Sequence, residues 1–101
     1  MSQYEQYNLE KKLTSFIQKV MKKMNPEINN IIVTSKELKY GRFSYSIWIN
    51  PTFDGARKMN SDPKFEKKLL DDVKYMTEMG ISMYRTDNIG HYIETIDWFW
   101  D

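Results

Sequence analysis

Between Phe43 and Asn50 the chain alternates strictly, Phe-Ser-Tyr-Ser-Ile-Trp-Ile-Asn, and only a pleated strand with two unlike faces satisfies that period. Phe43, Tyr45, Ile47 and Ile49 fall on one face, while Ser44, Ser46 and Trp48 fall on the other. One face therefore demands a hydrophobic cover, and the rest of the chain must supply it. The β-branched run beginning at Ile31 predicts a preceding strand to about Leu38, and Lys39-Tyr-Gly-Arg42 a turn joining the two.

The cover is predicted to be helical. Leu9, Leu13, Phe16, Ile17, Val20, Met21 and Met24 recur at three- and four-residue steps, which makes one apolar stripe. Ser2 and Glu5 have the spacing of a capping box at its start, and Asn25-Pro26 ends it. A second helix should start at Asp62-Pro63, bury Phe65, Leu69, Val73, Met76 and Met79, and stop at Gly80. Lys67/Asp71, Lys68/Asp72 and Lys74/Glu78 are four-residue pairs on its solvated side. Residues 51–62 read as a loop, with a turn at Asp54-Gly55.

Residues 81–86 read as a strand and 87–90 as a turn. Over 91–100, Ile93, Ile96, Phe99 and Trp100 would suit a helix face, while the aromatic and β-branched content favours a last strand. In that strand Ile96, Trp98 and Trp100 would lie on one side, with Ile93 and Phe99 on the other. The expected fold is α+β and two-layered, in the order α-β-β-α-β-β. Two helices would pack on one face of a largely antiparallel, four-stranded sheet. At 101 residues the chain suits a single domain, residues 1–101.

Several chemistries lack their residues. Without cysteine there is no disulfide framework, thiolate nucleophile or cysteine-held zinc. His91 is the only histidine, and it would share a face with Glu94 only if the tail were helical, so no metal site is assigned. Ser44 and Ser46 have no base at a recognisable spacing, and the four glycines form no phosphate-binding motif. No catalytic residue, cofactor or small-molecule substrate is expected. No apolar run is long enough to span a membrane and the first residues are no secretory signal, so a cytoplasmic location is expected.

Charge is unevenly spread. Residues 1–58 hold ten Lys/Arg against five Asp/Glu, net +5, and residues 59–101 hold five against nine, net −4. Such a dipole orients charged partners and favours head-to-tail association. Twelve lysines against three arginines, with Ala56 the sole alanine, match the codon bias of a low-GC bacterium or one of its phages. In a viral setting the chain could be virion-associated.

Two binding surfaces follow. The first is the sheet face turned away from the helices, carrying Ile32, Lys36, Ser46 and Trp48, with Phe99 from the tail. Large apolar side chains left on a sheet face mark a protein partner or an oligomer contact, which suits a small assembly or accessory protein. The second is basic. Lys12, Lys19 and Lys23 line one flank of the first helix, and Arg57 and Lys58 follow the hairpin, an arrangement for contacting RNA or DNA phosphates. The element order invites comparison with RNA-binding α/β folds such as the KH domain. Gly55-Ala-Arg-Lys58 lacks the second glycine of a GxxG loop, however, and no family is assigned. Near-neutral total charge places the protein-interaction reading first.

Overall fold

A computed structural model describes residues 3–85 and 90–100. It is an α+β structure in the order α1 (Gln3–Met24), β1 (Ile28–Glu37), β2 (Phe43–Pro51), α2 (Phe53–Ser61), α3 (Pro63–Tyr84) and β3 (His91–Trp98), with a short 3₁₀ turn at Lys39–Gly41. The strands form one sheet in the order β1-β2-β3.

The first half follows the expectation, except that Met24 of the stripe is exposed and β1 begins at Ile28 rather than Ile31. The stripe of α1 buries Leu9, Leu13, Ile17 and Met21, and the helix ends before Asn25-Pro26. β1 and β2 pair antiparallel, with Ile31 opposite Ile49 and Val33 opposite Ile47. Phe43, Tyr45, Ile47 and Ile49 are all buried and share one core cluster with Leu69, Val73 and Ile81 of α3. The expected capping box involves Ser2, which lies outside the described residues, as does the turn expected over 87–90 apart from Gly90.

The second half departs from the α-β-β-α-β-β expectation. The described sheet has three strands, not four, and three helices accompany it. Residues 81–84 continue α3 instead of starting a strand, with Ile81 buried in the core. Gly80 is not a stop. It lies within α3, where an added Cβ would sit 3.0 Å from Phe16 Cδ1 and 3.1 Å from Leu13 Cδ2. A glycine there lets α1 and α3 approach closely.

The expected loop 51–62 is mostly α2. Thr52 caps it, its Oγ1 accepting the Gly55 amide at 3.0 Å, and Asp62 then caps α3 through the Lys64 amide. Among the three expected pairs on α3, Lys68–Asp72 closes, at 3.0 Å.

The tail is a strand, but it runs parallel to β2, so the sheet is mixed rather than largely antiparallel. A parallel neighbour needs a long crossover, and α2 with α3 provides it. The register slips between Tyr45 and Ser46, where Ile93 and Thr95 are the successive partners and Glu94 is the extra residue. That bulge reverses the alternation, so Ile93, Ile96 and Trp98 all pack on the core side. Simple alternation had placed Ile93 opposite Ile96 and Trp98.

Candidate functional site

Because the core lies on one side of the sheet, the alternate positions of β1 and β2 turn away from it. Ile32, Thr34 and Lys36 of β1 are exposed there, and Ser46 and Trp48 of β2 are half-buried. Trp48 lies opposite Ile32 on one neighbour and Asp97 on the other, and Ser46 opposite Thr34 and Thr95. The indole Nε1 of Trp48 donates to Thr34 Oγ1 at 3.4 Å, which tethers the ring toward β1. Ile32 is 41% exposed, a large apolar residue with no core role.

The structure thus brings four of the five expected partner residues, Ile32, Lys36, Ser46 and Trp48, onto one open face. Phe99 follows β3 and is half-buried. Its amide donates to Ile49 O at 2.9 Å and its carbonyl accepts from Asn50 Nδ2 at 2.9 Å, so its backbone extends the sheet.

The outer edge of β1 is closed. The Val33 amide donates to Thr14 Oγ1 at 3.1 Å, the Ser35 amide to Glu10 Oε1 at 3.0 Å, and the Ile31 amide to Asn30 Oδ1 at 3.2 Å. Gln6 Nε2 donates to the Ser35 carbonyl at 3.2 Å. Helix α1 therefore occupies the place of a further strand.

Where α1 meets that edge, a groove of about 420 Å³ opens, lined by Tyr7, Glu10, Lys11, Thr14 and Ser15 on the helix and Ile32, Val33 and Thr34 on the strand. Tyr7 is 54% exposed, and the Lys11 ammonium lies 4.6 Å from its ring centroid. Sequence reasoning missed Tyr7. Its signal is an aromatic placed off the apolar stripe, four residues before a lysine.

A second groove, also about 420 Å³, runs between α1 and the end of α3, lined by Lys11, Lys12, Ser15, Phe16, Lys19 and Tyr84. Phe16 and Tyr84 meet edge-to-face, with centroids 6.0 Å apart. Lys12 and Lys19 are exposed, and among the described residues neither has an ion-pair partner. Lys23 is exposed on the last turn of α1 and lines neither groove.

Arg57 and Lys58 line a different depression, of about 580 Å³, with Pro26, Glu27, Thr52 and Asp54. There Lys58 is ion-paired with Glu27, and its hydrogen bond holds that carboxyl below the ordinary carboxylate range. Arg57 lies over the Phe53 ring at 6.0 Å. Four of the expected nucleic-acid residues are therefore split between two depressions, Lys23 stands apart from both, and one of the charges is neutralised.

His91 and Glu94 stand on a strand, not on one helical face, and His91 meets the Tyr45 ring edge-on with centroids 6.1 Å apart. The Ser44 hydroxyl is buried and donates to Glu94 Oε2 at 3.3 Å. Among the described residues, no three His, Asp or Glu side chains converge as a metal site requires. What the open face and its groove offer is apolar contact, hydroxyl groups and charge of both signs, Lys11 and Lys36 with Glu10 and Asp97. Comparison with protein-family models, curated proteins and solved structures finds no match to this chain.

Proposed function

We propose that the chain is a non-catalytic interaction module that docks a protein across its open sheet face and the adjoining α1–β1 groove. The carrying observation is that Ile32 and Trp48 lie outside the core, beside a groove that continues their surface onto Tyr7 and Lys11. Apolar side chains held on regular structure, with hydroxyl and lysine groups around them, match the anatomy of a contact patch. The chain acts as an assembly or accessory component inside a bacterial cell or a phage particle. No helix among the described residues is long and apolar enough to cross a membrane.

The test is capture of partners from source-cell lysate by the immobilised chain, wild type against Trp48→Ala and Ile32→Asp. Both variants should lose the captured protein while keeping the wild-type circular dichroism spectrum. Capture that survives both substitutions would remove the reading.

A second reading is favoured by one observation, the groove in which Lys11, Lys12 and Lys19 flank the Phe16 and Tyr84 rings. Cations beside aromatic rings suit the phosphates and bases of a single strand. Salt-sensitive retention of single-stranded RNA, lost in Lys12→Glu/Lys19→Glu, would establish it.

A further inference from the structure

We propose that the lysine-bearing flank of α1, along its groove with α3, takes a second copy of this chain, head to tail, with the β3 edge of one molecule seated against it. The inference rests on the interaction-module reading and adds to it a contact between copies. From Lys11 to Pro26 the chain has five lysines and no acid, whereas from His91 to Asp101 it has three acids and no Lys or Arg. Along β3, Tyr92, Glu94, Thr95 and Asp97 are exposed, Tyr92 at 49%, and Trp100 follows at 64%. Exposed acids interleaved with exposed aromatics on one segment complement Lys11, Lys12 and Lys19 beside the Phe16 and Tyr84 rings on the other.

Position forces the contact to be intermolecular. The strand order β1-β2-β3 puts the acidic edge and the α1-covered edge on opposite flanks of the sheet, with β2 between them. The two surfaces of one molecule cannot meet. The spacing also fits: Lys12 and Lys19 are two helical turns apart, about 10 Å, and Glu94 and Asp97 are three strand residues apart, again about 10 Å.

The two edges are also unequal. On the β1 side, α1 side chains already satisfy the outward amides of Val33 and Ser35, so a partner meets side chains there and not a free ladder. A contact between two different surfaces is heterologous, and it propagates into a ring or an open chain of copies.

The experiment is sedimentation velocity on the full chain at low and high ionic strength, with two neutralised variants. Lys12→Gln/Lys19→Gln removes the basic half. Glu94→Gln/Asp97→Asn removes the acidic half while keeping an oxygen for the Ser44 hydroxyl and another for the Trp98 amide, which Asp97 Oδ1 accepts at 2.8 Å.

Wild type should form a concentration-dependent series at low salt that collapses to monomer at high salt. Each variant alone should associate roughly tenfold more weakly or less. Mixed in equal amounts, the two variants should form a one-to-one heterodimer that grows no further, because each retains one live surface. A wild-type monomer at every concentration in low salt would overturn the proposal. So would association untouched by either variant, a mixture without heterodimer, or a monomer that retains single-stranded RNA through Lys12 and Lys19. If the monomer still captures a foreign protein through Trp48, self-docking fails and the interaction-module reading stands. If that capture also fails, both fall.

Discussion

Thr14 Oγ1 accepts the Val33 amide at 3.1 Å, and through that bond a helix side chain completes the hydrogen bonding of an edge strand. Glu10 serves the Ser35 amide one turn earlier on the same helix, so α1 seals β1 against strand addition. Thr14→Val keeps the shape and removes the acceptor. The expected loss is about 1–3 kcal/mol, the cost of leaving a partly buried amide without a partner, measured as a lower urea midpoint with an unchanged slope.

Gly55 lies on the inner side of α2, buried against the chain leaving α1. An added Cβ there would stand 2.5 Å from the Glu27 carbonyl oxygen, which already accepts the Thr52 amide at 2.7 Å. Backbone atoms cannot yield as a side chain does. Gly55→Ala should therefore destabilise by roughly 1–3 kcal/mol of overpacking, despite a helix-propensity gain of about 1 kcal/mol. Thermal unfolding of the two proteins side by side checks the sign.

The Lys58–Glu27 pair links stability to pH. Its hydrogen bond lowers the carboxyl pKa in the folded chain, so the folded state binds that proton less readily than the unfolded state does. The pair's contribution is full above the ordinary Glu value of 4.5 and is lost as pH falls through the lowered one. Lys58→Met should lower the urea midpoint at pH 7 and have less effect near pH 3. A difference that grows on acidification would contradict the pairing. With Lys58 largely exposed, the effect at pH 7 should be small.

Core and open face should respond differently to truncation. Leu13 is fully buried beneath the sheet, and Leu13→Ala should cost about 2–5 kcal/mol. Trp48→Ala, removing a half-exposed ring tethered through Thr34, should cost about 1–2 kcal/mol and leave the fold intact. Denaturant titrations of the two variants separate a residue that holds the core from one that lies outside it.

The parts of the fold legible in the sequence are those set by local period. The α1 stripe and the alternation of Phe43–Asn50 each repeat often enough to define a face, and Asp62-Pro63 marks the start of α3. What local patterns missed depends on distant partners. Gly80 reads as a terminator until Leu13 and Phe16 are known to lie against it. Thr52 becomes a cap only when residues 53–61 are helical, and Asp54-Gly55 imitates a turn. The direction of β3 depends on the crossover, and the Glu94 bulge on its register with β2. The site divides the same way. Alternation alone puts Ile32, Lys36, Ser46 and Trp48 on one face, but the groove with Tyr7 and Lys11 exists only because α1 lies along the β1 edge.

Hydroxyl-radical footprinting of the chain, free against partner-bound, tests the proposed contact surface most directly. Tyr7 and Trp48 should lose reactivity on association, while Tyr75, 60% exposed on α3, should keep it as an internal control. Protection of Tyr75 with Tyr7 and Trp48 unchanged would contradict the account, because the partner would then sit on the helical layer and not on the open face of the sheet.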